Sequence, residues 1–207
     1  PAETPVLWLG TAERVSAIVE MNHPGVWILG DTGDDDREHG MGIVVEYAGA
    51  TGKPVWTAPP AAKWNYANFA LTAPAKQPDE TLMMTFRKKN AAYEGFNLWT
   101  INDRSFPLDN MGMGFEPFHK LTEGRTYRIK LRNESDDIHP VHLHRHSFEV
   151  VSIAGRPMSG LIKDVIMLNG YQEAEIQFVA DNPGKTLFHC HQQLHMDFGF
   201  MTTFDYA

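Results

Sequence analysis

Apolar positions along this chain alternate with polar ones instead of recurring at helical spacing. Residues 81–88 (TLMMTFRK), 126–133 (TYRIKLRN), 147–155 (SFEVVSIAG) and 174–181 (AEIQFVAD) alternate or are enriched in β-branched side chains, which predicts strands. Turn chemistry punctuates them at Asn102-Asp103, Gly155-Arg156-Pro157 and Asn182-Pro183-Gly184. No long amphipathic helix is visible. The expected fold is all-β, a Greek-key sandwich.

The pattern repeats. Set from Val6, VLWLGTAERVSAIVEMNHPGVWILG lies over VIMLNGYQEAEIQFVADNPGKTLFH from Val165, an offset of 159 that needs no gap to the end of the chain. Pro24-Gly25 falls on Pro183-Gly184, Gly40 on Gly199, and Tyr47-Ala48 on Tyr206-Ala207. Identities are few, but the alternation keeps phase: Val15, Ala17 and Val19 lie over Ala174, Ile176 and Phe178. Residues 1–48 therefore read as the closing strands of a domain like the one that ends at Ala207. Residues 49–78, with GKPVWTAPPAAKW and TAPAKQP, read as an interdomain linker pinned down by Trp56, Trp64, Tyr66 and Phe69. Residues 79–207 read as a complete domain. The first half of the earlier domain is not in the chain, so a piece of a longer protein is expected.

Histidine placement changes the picture from fold to chemistry. Seven of the 10 histidines fall in two clusters, His139, His142, His144, His146 and then His189, His191, His195, and the single cysteine, Cys190, sits in the second. On an extended strand His142, His144 and His146 share a face, because side chains alternate with period two. In His189-Cys190-His191 the imidazoles point one way and the thiol the other. That geometry can build two metal sites back to back. One takes imidazoles; the other takes the thiolate, joined by His195 from the following loop and His139 from the other segment. Two histidines and one cysteine are what a blue-copper centre needs. Zinc also takes His and Cys, but through about four ligands per site. His23, His39 and His119 stand apart and read as ordinary structural or surface residues. His146 is expected to support a ligand, not to be one.

Charge and composition exclude some partners. The net charge of −8 argues against nucleic acid and anionic membrane, since both call for a basic face. No apolar run reaches the roughly 18 residues of a membrane span. One cysteine permits no internal disulfide.

HPVHLHRHSF (from His139) and HCHQQLHMDFGFM (from His189) resemble the two C-terminal copper motifs of the multicopper oxidases, the family of laccase, ascorbate oxidase and the bacterial cuprous oxidases. The resemblance covers the whole of 79–207. It implies cupredoxin sandwiches, a type 1 copper that takes electrons from substrate, and a trinuclear type 2/type 3 cluster that reduces dioxygen to water. Carried over by position, His139, Cys190 and His195 resemble the type 1 ligands, and His142 the type 2 ligand. His144, His189 and His191 resemble type 3 ligands. Phe200 stands at the axial type 1 position, where Met would ligate weakly and Phe cannot; Met196 and Met201 are the neighbouring thioethers.

The family's cluster also takes two further His-x-His pairs from an N-terminal domain, and this chain holds no others. The N-terminal remainder of the same enzyme is thus an implied partner, beside dioxygen and a small reducing substrate. Under the repeat, His189, Cys190, His191 and His195 fall on Gly30, Asp31, Thr32 and Asp36. Residues 1–48 therefore resemble a copper-free middle domain. A periplasmic or secreted location is implied, although no signal segment is visible. Oxidation of phenolic or similar donors is expected, with cuprous or ferrous ions also open. A pure blue-copper electron carrier would not need His142, His144, His189 or His191. A copper-storage role would need more than the sparse Met83-Met84 and Met111-Gly112-Met113. Asp136, Asp137 and Asp197 are the nearby carboxylates for proton delivery.

Overall fold

A computed structural model describes residues 2–107 and 114–207; Met111 and Met113 lie outside the described residues. The chain divides into two compact units, one of Leu9–Arg14 with Asn65–Ala207, the other of Glu3–Trp8 with Val15–Trp64. Among the described residues no helix is long and apolar enough to cross a membrane.

The smaller unit holds strand β1 (Val26–Gly30), the one-turn helix α1 (Asp34–Glu38) and strand β2 (Gly42–Glu46). The strands pair antiparallel from Val26↔Glu46 to Gly30↔Gly42. Val55 bridges to Trp27, and the Arg37 guanidinium lies 3.7 Å over the Trp56 ring.

The larger unit is a two-sheet sandwich. In chain order its strands are β3 (Glu80–Tyr93), β4 (Phe96–Ile101), β5 (His119–Leu121), β6 (Thr126–Asn133), β7 (His139–Leu143), β8 (Phe148–Ile153), β9 (Arg156–Lys163), β10 (Val165–Leu168), β11 (Glu173–Val179) and β12 (Thr186–Cys190). The one-turn helix α2 (Gln193–Asp197) and β13 (Met201–Tyr206) close it. One sheet runs β4-β3-β6-β11-β8-β9 and the other β10-β7-β12-β13-β5, mostly antiparallel but with β3·β6 and β13·β5 parallel. Phe86, Tyr127, Phe148, Phe188, Phe200 and Phe204 fill the space between the sheets. The all-β sandwich expected from the alternation, cupredoxin-like as the family resemblance implies, is the fold observed.

Each of the four strands expected from periodicity within residues 79–207 is present, and β3 exceeds its expected span. It runs to Tyr93 because Glu94-Gly95, both at positive φ (48° and 85°), form the tight turn into β4. The larger unit also takes in residues 65–78, a stretch assigned from sequence to a linker. There a single 3-10 turn, Tyr66–Phe69, is capped by the Asn65 side chain, and Leu71 pairs both ways with Ser159 (2.8 and 2.9 Å). All four residues of β10 are buried even though it is an edge strand. Tyr66 and the segment 9–14 cover it: Tyr66 Oη accepts from the Met167 amide (2.9 Å) and donates to Glu13 (2.8 Å), whose carboxylate also meets Lys163 at 2.9 Å.

The repeat seen in the sequence appears in part: residues 6–9 and 14–20, set over β10 and β11, form no strand, but the stretch from β1 to β2 matches β12 to β13. Helix α1 and strand β2 fall on α2 and β13 at the same offset, and Gly30↔Gly42 repeats the pairing His189↔Met201. Gly40 and Gly199 adopt nearly the same positive φ, 97° and 99°.

Candidate metal centre

Strand parity sorts the clustered side chains onto two faces. In the β7·β12 ladder His189 lies opposite His142, and Cys190 opposite Val141. Cross-strand partners project to the same side. His142 and His189 therefore share one face, while Cys190, Val141 and His139 share the other.

On the inner face three donor atoms converge. Cys190 Sγ is 3.7 Å from His139 Nδ1 and 3.6 Å from His195 Nδ1, and the two nitrogens are 3.1 Å apart. A point equidistant from all three lies roughly 2.0 Å from each, close to metal–imidazole distances of about 2.0–2.1 Å and metal–thiolate distances of about 2.3 Å. The triad thus fits a transition-metal ion. His195 arrives on α2, whose N-terminus is capped by Gln192: its side-chain oxygen accepts from the His195 amide at 2.9 Å. Two further bonds close the loop, Phe200 N–H to the His195 carbonyl (2.9 Å) and Cys190 N–H to the Phe200 carbonyl (3.1 Å).

The walls of this site are aromatic. The Phe200 ring is 4.7 Å from His139 and 4.8 Å from Phe86. Met201 pairs with His189 and so belongs to the opposite face. The Trp99 ring lies 4.0 Å from His195 and 5.0 Å from His139, with Lys88 Nζ 5.8 Å from its centre. Sequence reading missed Trp99, since one aromatic in a strand with no motif around it carries no signal of its own.

Such burial disfavours charge. It pushes the Cys190 thiol up to about 12 and holds the His139 imidazole down to about 3, where neighbouring His195 and Lys88 add to the effect. His195 is lowered for the same first cause, opposed by Asp137. A soft cation that replaces the thiol proton removes this penalty.

On the other face the imidazoles crowd together. Ring centres lie 4.6 Å apart for His142 and His144, 5.0 Å for His144 and His189, and 4.9 Å for His189 and His191. His144 Nε2 meets His189 Nε2 at 2.9 Å, and donor atoms of His142, His189 and His191 also gather within 4.8 Å of one another. Backbone carbonyls orient the rings. His142 Nδ1 donates to Asp164 O (2.7 Å) and His189 Nδ1 to Cys190 O (2.8 Å), so each Nε2 keeps its lone pair, that of His189 turned to His144 Nε2. Burial, then the neighbouring imidazoles, lowers His144; burial lowers His189 to about 4.

The expected row of three imidazoles stops at two. Strand β7 ends at Leu143, and Arg145 adopts φ 62°, which turns His146 away. His146 instead bonds the His144 carbonyl through Nδ1 (3.1 Å) and Tyr206 Oη through Nε2 (2.7 Å). His23, His39 and His119 lie apart, bonded to Asn22, the Asp35 carbonyl and Glu80. Asp136 and Asp137 both hold Lys88, near the sulfur triad, and Asp197 accepts from Gln193. The carboxylate beside the imidazole cluster is Asp164, which the sequence reading did not single out. Burial alone would raise it, but the bond to Arg14 and the nearby His142 hold it below the usual range.

The multicopper oxidase family model matches residues 72–207. Multicopper oxidase MmcO of Mycobacterium tuberculosis is 29% identical over 213 residues, covering 100% of this chain and 39% of that one. Multicopper oxidase mco of Staphylococcus aureus is 42% identical over 109 residues, 49% of this chain and 23% of its own. A solved multi-copper oxidase from Pseudomonas thermotolerans superposes with a TM-score of 0.53 at 30% identity, over 79% of this chain and 36% of that one. The chain thus spans well under half the length of these relatives. Its sulfur–imidazole triad and imidazole cluster hold donors suited to copper, the metal that this family uses. On the matched domain and the fold together, the chain belongs to the multicopper oxidase family.

Proposed function

We propose that this chain carries the blue-copper site and half of the oxygen-reducing cluster of a laccase-like multicopper oxidase. The observation that carries the reading is strand β12. Its end, with the residue that follows, places His189, Cys190 and His191 consecutively, so a thiol in a three-donor site is covalently joined to two imidazoles of the cluster behind it. His139, Cys190 and His195 would then hold the type 1 copper, beside a Phe200 ring that offers no donor atom. His142 would hold the type 2 copper, and His144, His189 and His191 the type 3 pair.

Bound copper would supply one-electron oxidation of a donor at the type 1 site and four-electron reduction of dioxygen at the cluster. The chain's own contribution is placement. Cys190 links the two sites through its backbone neighbours, Trp99 and Phe200 exclude water from the sulfur, and Asp164 holds a carboxylate beside His142 and His191. Phenols or similar small reducing compounds are the proposed donors. Laccases of Trametes villosa and Trametes versicolor, 32% and 38% identical over shorter stretches, support this. A metal-ion oxidase is the second reading, favoured by the 30% identity over 95 residues to Iron transport multicopper oxidase fio1 of Schizosaccharomyces pombe. The remaining cluster ligands would come from an N-terminal region of the same enzyme, working outside the cytoplasm.

Cys190→Ser tests the core of the reading. The copper-loaded chain should lose its intense visible thiolate-to-copper band, and the enzyme completed by its N-terminal part should lose all substrate oxidation, since a hydroxyl is a hard and weakly acidic ligand. An unchanged spectrum would sink the assignment. Copper quantitation separates the rivals: an electron carrier holds one copper, whereas an oxidase completed by its N-terminal part holds four.

A further inference from the structure

Three imidazoles near the two donor groups have one ring nitrogen fixed. For His142 and His189 the fixing group is a backbone carbonyl, which can only accept, so Nδ1 must carry the proton. His139 differs. Its Nε2 meets a side chain, the Ser135 hydroxyl, at 2.9 Å. A hydroxyl can donate or accept, so by itself it would leave the tautomer open.

Asn133 removes that freedom. The Ser135 hydroxyl donates to Asn133 Oδ1 (2.8 Å), which also accepts from the Ser135 amide (2.9 Å). The amide group of Asn133 is itself oriented, because its Nδ2 donates to two carbonyls, Asp137 O (2.8 Å) and Asn169 O (3.0 Å). Carbonyls do not donate, so Nδ2 cannot be exchanged with Oδ1. With its only proton committed to Asn133, Ser135 Oγ has lone pairs alone to offer His139. Nε2 must then donate, and Nδ1 keeps its lone pair toward Cys190 Sγ and His195 Nδ1. All three residues are buried: Asn133 is 1% exposed, Ser135 4% and His139 0%. Water therefore offers the ring no alternative partner.

We infer that Ser135, aimed by Asn133, is the positioning residue that selects the Nε2–H tautomer of His139 and so presents Nδ1 to the metal. The inference rests on His139 being a type 1 ligand only for its consequence, not for the tautomer itself. An imidazole in the other tautomer would place a proton where the metal must bind, and the ring is too closely packed by Phe86, Trp99 and Phe200 to turn over. Outer partners of this kind typically change metal affinity by about 10–100-fold when removed.

The test uses the full chain, labelled with nitrogen-15. Long-range proton–nitrogen correlation spectra of the metal-free protein read each imidazole tautomer directly. Native His139 should show a protonated Nε2 and a bare Nδ1. Ser135→Ala should lose that single state, and Ser135→Thr, which keeps the hydroxyl, should restore it. Copper(II) titration, followed by the thiolate-to-copper band, should show affinity lowered by about 10–100-fold for Ser135→Ala and within a few-fold of native for Ser135→Thr. A native His139 protonated on Nδ1 overturns the inference, and this needs no variant to fold. So does a Ser135→Ala protein with native tautomer and native affinity. If the tautomer is as stated but no thiolate band forms with copper, the type 1 assignment fails while the role of Ser135 in setting the tautomer stands.

Discussion

At the proposed blue site Phe200 bears on the redox potential. It is fully buried against His139 and Phe86, and a phenyl ring donates no lone pair. With copper bound and no sulfur donor supplied by Phe200, Cu(I) would gain over Cu(II), and the dry aromatic wall would disfavour the more highly charged state. Both effects would raise the potential. Phe200→Met should lower the potential in a redox titration and alter the visible and EPR features; an equal or higher potential would remove Phe200 from the axial position. Acid should act on the metal-free protein through the same burial. His139 and His189 are held to about 3 and about 4, against an ordinary value near 6.5. As pH falls through 6.5 the unfolded chain takes up protons that the folded chain refuses. Stability is therefore lost progressively from about pH 6.5 toward pH 4. Denaturant midpoints of the metal-free chain measured across that range should fall with pH; a flat profile would contradict the burial of these rings.

Among the elements, the turn from α2 into β13 holds the site together, because it joins His195 to the strand beside Cys190. Gly199 sits there at φ 99°, and a Cβ would come within 1.8 Å of Ser105 Oγ and 2.9 Å of the Trp99 carbonyl. Its counterpart in the repeat, Gly40, has φ 97° but nothing within 4 Å. The pair separates backbone strain from steric clash. Gly40→Ala should cost about 1–2 kcal/mol for the left-handed backbone alone. Gly199→Ala should cost about 1–3 kcal/mol more and weaken the blue band, as the loop that carries His195 shifts. Equal denaturant midpoints for the two variants would mean that the Ser105 hydroxyl and the Trp99 carbonyl do not confine Gly199. The matched glycines and the unbroken offset made the likeness of residues 26–46 to residues 185–205 legible from sequence. The chemistry of the earlier stretch differs because Gly30, Asp31, Thr32 and Asp36 replace the His and Cys ligands while the backbone path is kept.

Taken whole, the molecule is unevenly covered. In the smaller unit Ile18 is 93% exposed, and Leu29, Ile43 and Val44 of the hairpin are each more than half exposed. A two-stranded sheet is at best marginally stable alone. Limited proteolysis should therefore cut within residues 15–64 first and leave a fragment beginning near residue 65, read by mass spectrometry; initial cleavage inside the sandwich would contradict this. The same incompleteness bears on catalysis. Four of the proposed cluster ligands lie in this chain, His142, His144, His189 and His191, where the resembling family uses eight. The 207-residue chain by itself should take up type 1 copper and show no oxygen consumption in an oxygen-electrode assay. Oxygen reduction by the chain alone would refute the proposal that an N-terminal region completes the cluster.

The sequence alone determined the sidedness of the metal chemistry. Where the segment is extended, period-two alternation in His-Cys-His turns the thiol and the imidazoles to opposite faces, and the β7·β12 register shows that parity for His189 and Cys190. It also determined the sandwich class and the hairpin repeat, both of which follow from local pattern. Only the tertiary structure decided which distant groups meet. Trp99 comes from another sheet to cover His195, and Asp164 arrives beside His142 from the β9–β10 junction. Arg145 at positive φ ended the row of imidazoles before His146, and Asn133 and Ser135 fixed the face that His139 presents. Alternation specifies the side of a strand a residue occupies, whereas partners across a sandwich depend on sheet order and register. Those are set by the packing of the whole core and leave no short-range signature in the chain.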